Sequence, residues 1–340
     1  MMPNFIKHKV RPQDSLASLA SRMRMTEDEL KEFHNHNCGK MDKLWFTNLR
    51  GVEFVLIPTL FISKEEQEIR KSKMLPSKEY FKGFHASKYF VSEKFEEPHK
   101  KDSNFNYSVN LNIQNNKHGF AAETSLADFR KNGIASDDKV SSLSLACMNS
   151  IYPIPYNISQ KGKLGSFLDH KNLIEKFRNK RADLEDFFIG DISKSYIDWF
   201  VEKLTDENYF FRQIQSSLLY QTLFPNLEWF HKKTGWKEAF YIYKNSFPVE
   251  FNFQTEFTFD DPDLVKTKIT GTNSENCSLR ELLKGIRIEN ENAKDYIDAE
   301  IQIQYFTHKI TKQLYEIKSS VEILHQNEVF QKHHLHITQN

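Results

Sequence analysis

Residues 11–30 read RPQDSLASLASRMRMTEDEL and contain the start signals of two short helices. Asp14 or Ser15 is placed to cap the first helix, because a side-chain oxygen there accepts a hydrogen bond from the free N–H groups. Thr26 and Glu29 have the spacing of a capping box, which opens the second helix. Apolar residues follow on one face of each helix: Leu16, Leu19, Ala20 and Met23 in the first, Leu30 and Phe33 in the second.

Residues typical of β-strands flank the two helices. Phe5, Ile6 and Val10 precede them, and residues 52–58, VEFVLIP, follow them. A unit this small must pair its two strands to bury their apolar side chains. The sequence therefore predicts a βααβ module over residues 1–60.

The order of these signals resembles a LysM module, a small fold that many proteins use to hold N-acetylglucosamine-containing glycans. The features that match are an entry strand, Asp14-Ser15-Leu16, two short helices and a last strand that ends on Ile57-Pro58. The resemblance covers about residues 5–58 of the 340. Gln13 stands where the family has a glycine, and His34 where it has an asparagine.

The resemblance implies a glycan groove between the loop after the first strand and the loop before the last strand. The residues that would line it are Gln13, Asp14, Ser15, Leu16, Trp45, Phe46 and Asn48. A purely structural interpretation of the same positions stays open. In that interpretation Asp14 is a helix cap, Leu16 is a core residue and Trp45 covers the small sheet.

The charges of the whole chain are nearly balanced, with 47 Lys and Arg against 46 Asp and Glu. Phosphate backbones are bound by clustered excess positive charge, so we expect no nucleic-acid partner. Phe is abundant at 29 residues and Gly is scarce at 11, which favours an aromatic core over glycine-rich phosphate loops. No window has the length of apolar sequence that a membrane span needs.

Cys38, Cys147 and Cys277 are far apart and odd in number, which is typical of a reducing compartment. The first residues contain no apolar stretch of the length that a secretory signal has. We therefore expect a cytoplasmic protein, with export by a specialised secretion system as the alternative.

The rest of the chain predicts a large α+β domain over residues 77–340. Strands that cluster in sequence, rather than alternating singly with helices, favour an antiparallel sheet with an inserted helical segment. The expected segments are a connector over 61–76, strands over 77–167, helices over 168–230 and strands over 240–338.

Period-two alternation predicts strands at Phe105–Ile113, at Leu143–Cys147 and, most clearly, at Ile297–Tyr305. Three helices are expected in the inserted segment, the third running from Tyr209 to Phe224 before Pro225. The helices are expected either to enclose a cavity for a lipid or peptide against the sheet, or to complete a plain aromatic core.

Motifs for phosphate binding, serine nucleophiles, zinc proteases and dinucleotides are missing from the sequence, and we expect no cofactor and no metal. The residues His333-His334-Leu335-His336 are a candidate metal site if they lie in a strand. We interpret them as an exposed edge near the C-terminus. His34, Asn35, His36 and Cys38 are interpreted as a polar loop after a helix.

Two acidic groups invite a catalytic interpretation. The three carboxylates of Asp260-Asp261-Pro262-Asp263 could bind calcium or supply an acid/base pair. Asp and Pro are also common in turns. Glu228-Trp229 near His231 has the composition of a glycosidase site, but it continues a helical aromatic face. We interpret the first as a turn and the second as core.

The function expected from the sequence is a non-catalytic binding protein. Its module would dock on peptidoglycan or a related glycan, and its large domain would engage a protein partner. One alternative is a cytoplasmic assembly or cargo-adaptor component of a contractile injection system, either type VI-like or phage-tail-like. A second alternative is a cell-wall-degrading enzyme or toxin that the LysM-like module targets.

Overall fold

The computed structural model describes residues 5–59, 64–117, 119–135, 138–288 and 295–339. The chain divides into two compact units, Met1–Lys73 and Met74–Asn340. Within the described ranges, no helix combines the length and the apolar character that crossing a membrane requires.

The first unit is built around a two-stranded antiparallel sheet. Its elements are β1 (Phe5–Lys9), α1 (Leu16–Arg22), α2 (Glu27–Asn37), β2 (Phe54–Pro58) and α3 (Lys64–Ser72). β1 pairs with β2 in a register that runs from Phe5 opposite Pro58 to Lys9 opposite Phe54. The βααβ order expected for residues 1–60 is present, and α3 occupies part of the segment expected as a connector.

Both predicted helix starts are confirmed. The Ser15 side chain accepts a hydrogen bond from Ser18 N and caps α1, while Thr26 and Glu29 form a reciprocal capping box at α2. Leu16, Leu19, Ala20 and Leu30 are buried with Val55 of β2 in the core of this unit. Apolar spacing and caps therefore act together to fix the two helices on the small sheet.

The second unit contains the remaining helices and strands. From its beginning these are β3 (Lys88–Glu96), β4 (Ser103–Asn116), β5 (Gly119–Lys131), β6 (Ile134–Ala135), α4 (Lys139–Ile151), β7 (Ile154–Ile158) and β8 (Leu164–Phe167). A helical segment follows, with α5 (His170–Phe187), α6 (Asp191–Thr205), α7 (Glu207–Gln215) and α8 (Leu218–Leu223). The last part consists of β9 (Trp236–Phe240), β10 (Val249–Thr258), β11 (Leu264–Asn273), α9 (Leu279–Lys284), β12 (Ile297–His308), β13 (Leu314–His325) and β14 (Glu328–Gln339).

These strands form one large antiparallel sheet. Its order among the described residues is β8-β7-β5-β4-β3-β14-β13-β12-β11-β10-β9, with β6 paired to β5. The unit is therefore of the α+β class that clustered strands predict.

One face of this sheet shares a core with the inserted helices. Along β12, Ile301, Ile303 and Tyr305 are buried, while Glu300 and Gln302 between them are exposed. The Tyr305 ring lies 5.1 Å from the ring of Phe230 in the segment after α8. The alternation of apolar and polar residues along β12 thus indicates which side of the sheet the helices cover.

The strand predicted at Leu143–Cys147 is wrong, because this segment belongs to α4. Leu143, Cys147 and Ile151 are the buried residues of that helix. Residues four apart share a face in a helix as well as in a strand, so the apolar pattern does not separate the two. The Asp138 side chain accepts a hydrogen bond from Ser141 N and caps the helix.

The third predicted helix is two helices, α7 and α8. Ser217 caps α8 by accepting a hydrogen bond from Tyr220 N, and Ser216 ends α7. Serine side chains compete for backbone hydrogen bonds in this way, which interrupts a continuous apolar face.

The exposed edge predicted at His333–His336 is also wrong. These residues lie in β14, which pairs with β13 on one side and with β3 on the other. The last strand inserts beside a strand from the beginning of the unit, so its nearness to the C-terminus carries no information about its place in the sheet.

Candidate functional site

Asp14, which the LysM resemblance assigns to a glycan groove, is engaged within the first unit. Its Oδ2 accepts a hydrogen bond from Arg11 N at 2.9 Å and lies 3.0 Å from His8 Nε2. The Arg22 guanidinium is 3.5 Å from Oδ1, and the side chain has no exposed surface. The hydrogen bonds from His8 and from Arg11 N hold the pKa of Asp14 below its ordinary value. Asp14 therefore ties β1 to α1.

Ser15 and Leu16 also have structural roles. Ser15 N donates to Ser18 Oγ and Ser15 Oγ accepts from Ser18 N, each at 3.0 Å. Leu16 is buried at the start of α1. By contrast, the neighbouring Gln13 is exposed, and its side chain faces solvent in the loop after β1.

The loop between α2 and β2 is fixed by three side chains of α2. Asn35 makes two hydrogen bonds with the backbone of Leu44, and Lys31 Nζ donates to Trp45 O at 2.9 Å. His34 is buried between this loop and β2, where its Nε2 lies 2.7 Å from Asp42 O. His34 and Asn35 thus lie in the last part of α2 and organise the loop, so their predicted place in a polar loop is wrong.

This fixed loop presents large apolar side chains to solvent. Trp45 is 73% exposed, Phe46 is 75% exposed and Met41 is 96% exposed. We call these three residues the loop surface. The structural interpretation required Trp45 to cover the small sheet, and its exposure shows that it does not. Asn48 in the same loop is exposed as well. A loop whose backbone is held by hydrogen bonds and that displays aromatic rings is suited to binding, because little conformational entropy is lost when a ligand packs against it.

The second unit holds a cavity of about 580 Å³. It lies between strands β3–β5 and helices α4, α6, α7 and α8, and its lining is mainly aromatic and aliphatic. The residues that define it include Tyr107, Met148, Trp199, Phe200, Phe210 and Ile214. Its volume is in the range of about 300–1,000 Å³ typical of small-molecule sites. Cavity and aromatic core, which the sequence left as alternatives, are both present.

A cleft of about 790 Å³ adjoins this cavity. Glu93, Ser217 and Lys244 line both spaces, so the cavity and the cleft meet at these residues. Arg212 of α7 and Lys284 of α9 line the cleft but not the cavity. The cavity lining is thus mainly apolar, although it includes Glu93, Asp128, Lys203 and Lys244, and the cleft beside it gathers three cationic side chains.

Glu93 is held at the junction by Tyr107, and His333 lies near it. The Tyr107 hydroxyl donates to Glu93 Oε1 at 2.6 Å, and His333 Nε2 lies 3.6 Å from Glu93 Oε2. The His333 ring stacks on Phe95 with a centroid distance of 4.0 Å. Burial and the Glu93 charge raise the pKa of Tyr107 well above its ordinary value, so the phenol stays protonated and donates.

The other acidic candidates have structural roles. Asp261 Oδ1 accepts hydrogen bonds from Asp263 N and Leu264 N, which closes the turn between β10 and β11. Glu228 forms an ion pair with Lys161 at 2.9 Å, and Trp229 beside it is buried. His231 Nε2 lies 2.7 Å from Pro76 O. The prediction of a turn is confirmed, and the prediction of core packing is confirmed for Trp229 but not for Glu228, whose side chain is 36% exposed.

The histidines of β14 face carboxylates on neighbouring strands. His336 Nε2 is 2.7 Å from Glu316 Oε1, and His334 Nε2 is 3.7 Å from Glu96 Oε1. Across the described ranges, three or more His, Cys, Asp or Glu side chains nowhere gather in a way that could hold a metal ion. Cys147 and Cys277 are buried free thiols.

A cavity between the helices and the sheet was one expectation, but no local pattern indicates which residues line the cavity or the cleft. Glu93 and His333 come together only because β3 pairs with β14, and Lys244 and Lys284 lie in separate short segments. Of the three residues of the loop surface, the sequence analysis names Trp45 and Phe46 as candidate binding residues and does not name Met41. The chain matches no family model and none of the curated proteins.

Proposed function

We propose that this chain is a non-catalytic binding protein whose first unit binds N-acetylglucosamine-containing glycan, such as peptidoglycan, through the loop surface. The observation that carries the proposal is the pair of exposed rings, Trp45 and Phe46, on a loop that α2 fixes at three points. The resemblance of residues 5–58 to a LysM module supports the same ligand class.

Stacking on the two rings supplies the main contact. The C–H faces of a pyranose ring are apolar and leave water when they pack on an aromatic ring. The exposed amides of Gln13 and Asn48 have donors and acceptors for sugar hydroxyl and acetamido groups. In this proposal Asp14, Ser15 and Leu16 position the loops and do not touch the glycan.

The test is co-sedimentation of the full chain with insoluble peptidoglycan and with chitin. We expect the wild type to sediment saturably and Trp45→Ala/Phe46→Ala to stay in solution while keeping the circular dichroism of the wild type. Phe187→Ala/Ile192→Ala is the matched control, because it removes two side chains of similar exposure, 79% and 82%, from the second unit. Equal sedimentation of both variants would show non-specific adhesion and overturn the proposal.

A second candidate is an assembly or cargo-adaptor component of a cytoplasmic contractile injection system. The same loop exposes a third large apolar side chain, Met41 at 96%, and exposed apolar groups of this kind are used by protein interfaces. Asp14, which the resemblance places in the glycan groove, has no exposed surface to offer a sugar. This candidate requires that the wild type fail to sediment with glycan. It also requires that sheath, spike or baseplate proteins encoded beside it co-purify through Trp45 and Phe46.

A further inference from the structure

The cleft beside the cavity gathers cations from three separate elements. Arg212 comes from α7, Lys244 from the loop between β9 and β10, and Lys284 from α9. In the part of the chain that the structure describes, none of the three forms an ion pair, whereas the nearby Lys203 pairs with Glu202 at 2.9 Å. Convergence of unpaired cations on one concave surface favours an anionic ligand.

Among the residues that the structure describes, the acidic residue of the cleft forms no ion pair with these cations. Glu93 Oε1 accepts a hydrogen bond from the Tyr107 hydroxyl in β4, and Glu93 Oε2 lies 3.6 Å from His333 Nε2 in β14. Arg212 instead lies over the Tyr209 ring, with its guanidinium carbon 6.0 Å from the ring centroid. The cationic side chains are therefore free to turn toward a ligand.

The cavity beside the cleft is suited to an apolar group. Leu145 and Met148 of α4 face Trp199 and Phe200 of α6 across it, and Ile214 of α7 closes the same space. Trp199 is 44% exposed, so the cavity opens to solvent. An apolar chain that enters here leaves water and packs against mainly apolar side chains.

We propose that the second unit binds an amphipathic anion, with its apolar chain in the cavity and a carboxylate or phosphate head in the cleft near Arg212, Lys244 and Lys284. The site is independent of the glycan surface proposed for the first unit. Fatty acids and single-chain lipid phosphates share this chemistry, and they differ only in the head group.

The experiment is a fluorescence titration of the full chain with dansyl-labelled undecanoic acid, compared with its uncharged methyl ester. We expect saturable binding of the acid, and weakening by about tenfold or more for the ester and for Arg212→Glu/Lys244→Glu. Both of these residues are exposed, so their replacement leaves the core intact. The matched control is Arg178→Glu/Lys194→Glu, which makes the same charge change on the exposed faces of α5 and α6 and is expected to bind as the wild type does.

A second variant tests the cavity. Met148→Trp fills the apolar space and is expected to reduce binding while leaving the cleft unchanged. Circular dichroism and the urea midpoint show whether this variant is folded. If it is not, Leu145→Trp serves the same purpose from one turn earlier in α4.

Competition distinguishes the head groups. Displacement by dodecanoic acid or by dodecyl phosphate supports the proposal, and the stronger competitor identifies the head. Displacement by inorganic phosphate at the same concentration would overturn it, because the apolar chain would then contribute nothing. Equal binding of the acid and its ester, equal loss in the control variant, or no saturable binding would overturn it as well.

Discussion

The backbone N–H of Leu56 donates a hydrogen bond to Nδ1 of His34 over 3.0 Å, in the buried interior of the first unit. Since Nδ1 accepts, the ring proton is on Nε2, which donates to Asp42 O at 2.7 Å. One neutral imidazole therefore joins α2 to β2 and to the loop that presents Trp45 and Phe46.

Replacing His34 by Phe is expected to destabilise the first unit and loosen the loop. The change leaves the Leu56 N–H and the Asp42 carbonyl without partners, at a cost of about 1–3 kcal/mol for each buried group. Hydrogen exchange of peptides that contain β2 and the loop checks this by mass spectrometry. His36→Phe on the exposed side of the same helix is the control, and equal acceleration in both variants would contradict the role given to His34.

Gly271→Ala is expected to destabilise the second unit by about 1–3 kcal/mol through overpacking. A Cβ at Gly271 in β11 would lie 2.5 Å from the Phe253 ring, which stacks against Trp236 in the core. Gly165→Ala in β8 is the control, because its Cβ would meet its nearest atom at 3.6 Å. Urea unfolding of both variants makes the comparison, and similar midpoints would show that β10 and β11 are not packed as described.

Stability of the second unit is expected to fall as the pH falls from 6.5 toward 4, in part because of His85. Burial lowers the pKa of His85 from 6.5 to about 4, and its Nε2 donates to Leu223 O at 2.7 Å. In this window the unfolded chain takes up a proton that the folded chain does not, so the free energy of unfolding decreases.

The loss attributable to His85 reaches about 3 kcal/mol near pH 4. His85→Gln keeps a neutral polar side chain and is expected to flatten the dependence of unfolding free energy on pH between 6.5 and 4. His99→Asn, at an exposed histidine, is the matched control. Parallel pH curves for the wild type and His85→Gln would contradict this account.

Backbone amides of His333–His336 are expected to exchange slowly with solvent. They pair with β13 and β3, which places them in the interior of the large sheet. Exchange as fast as that of the turn at Asp260–Asp263 would show that β14 is not a central strand.

The sequence predicted those features that depend on neighbouring residues. The caps at Ser15 and Thr26, the alternation along β12 and the turn at Asp261 are fixed by side chains within a few positions of one another. The antiparallel α+β class followed from the order of such segments.

Features that depend on distant partners were missed. Leu143 and Cys147 fit a strand and a helix equally well, and the long-range pairing of β14 with β3 leaves no trace in either segment. The same pairing brings Glu93 to His333, and the helices bring Arg212 to Lys244, so neither the cavity nor the cleft had a local signature.

The central claim, that the loop surface binds glycan, is tested most directly by fluorine NMR of the full chain labelled with fluorotryptophan. The chain has four tryptophans, of which Trp45 is 73% exposed and Trp229 is buried. Trp45→Phe assigns the Trp45 resonance by its disappearance. Addition of N-acetylglucosamine oligomers is predicted to shift the Trp45 resonance saturably and to leave that of Trp229 unchanged. A Trp45 resonance that stays in place at saturating oligomer would contradict the claim.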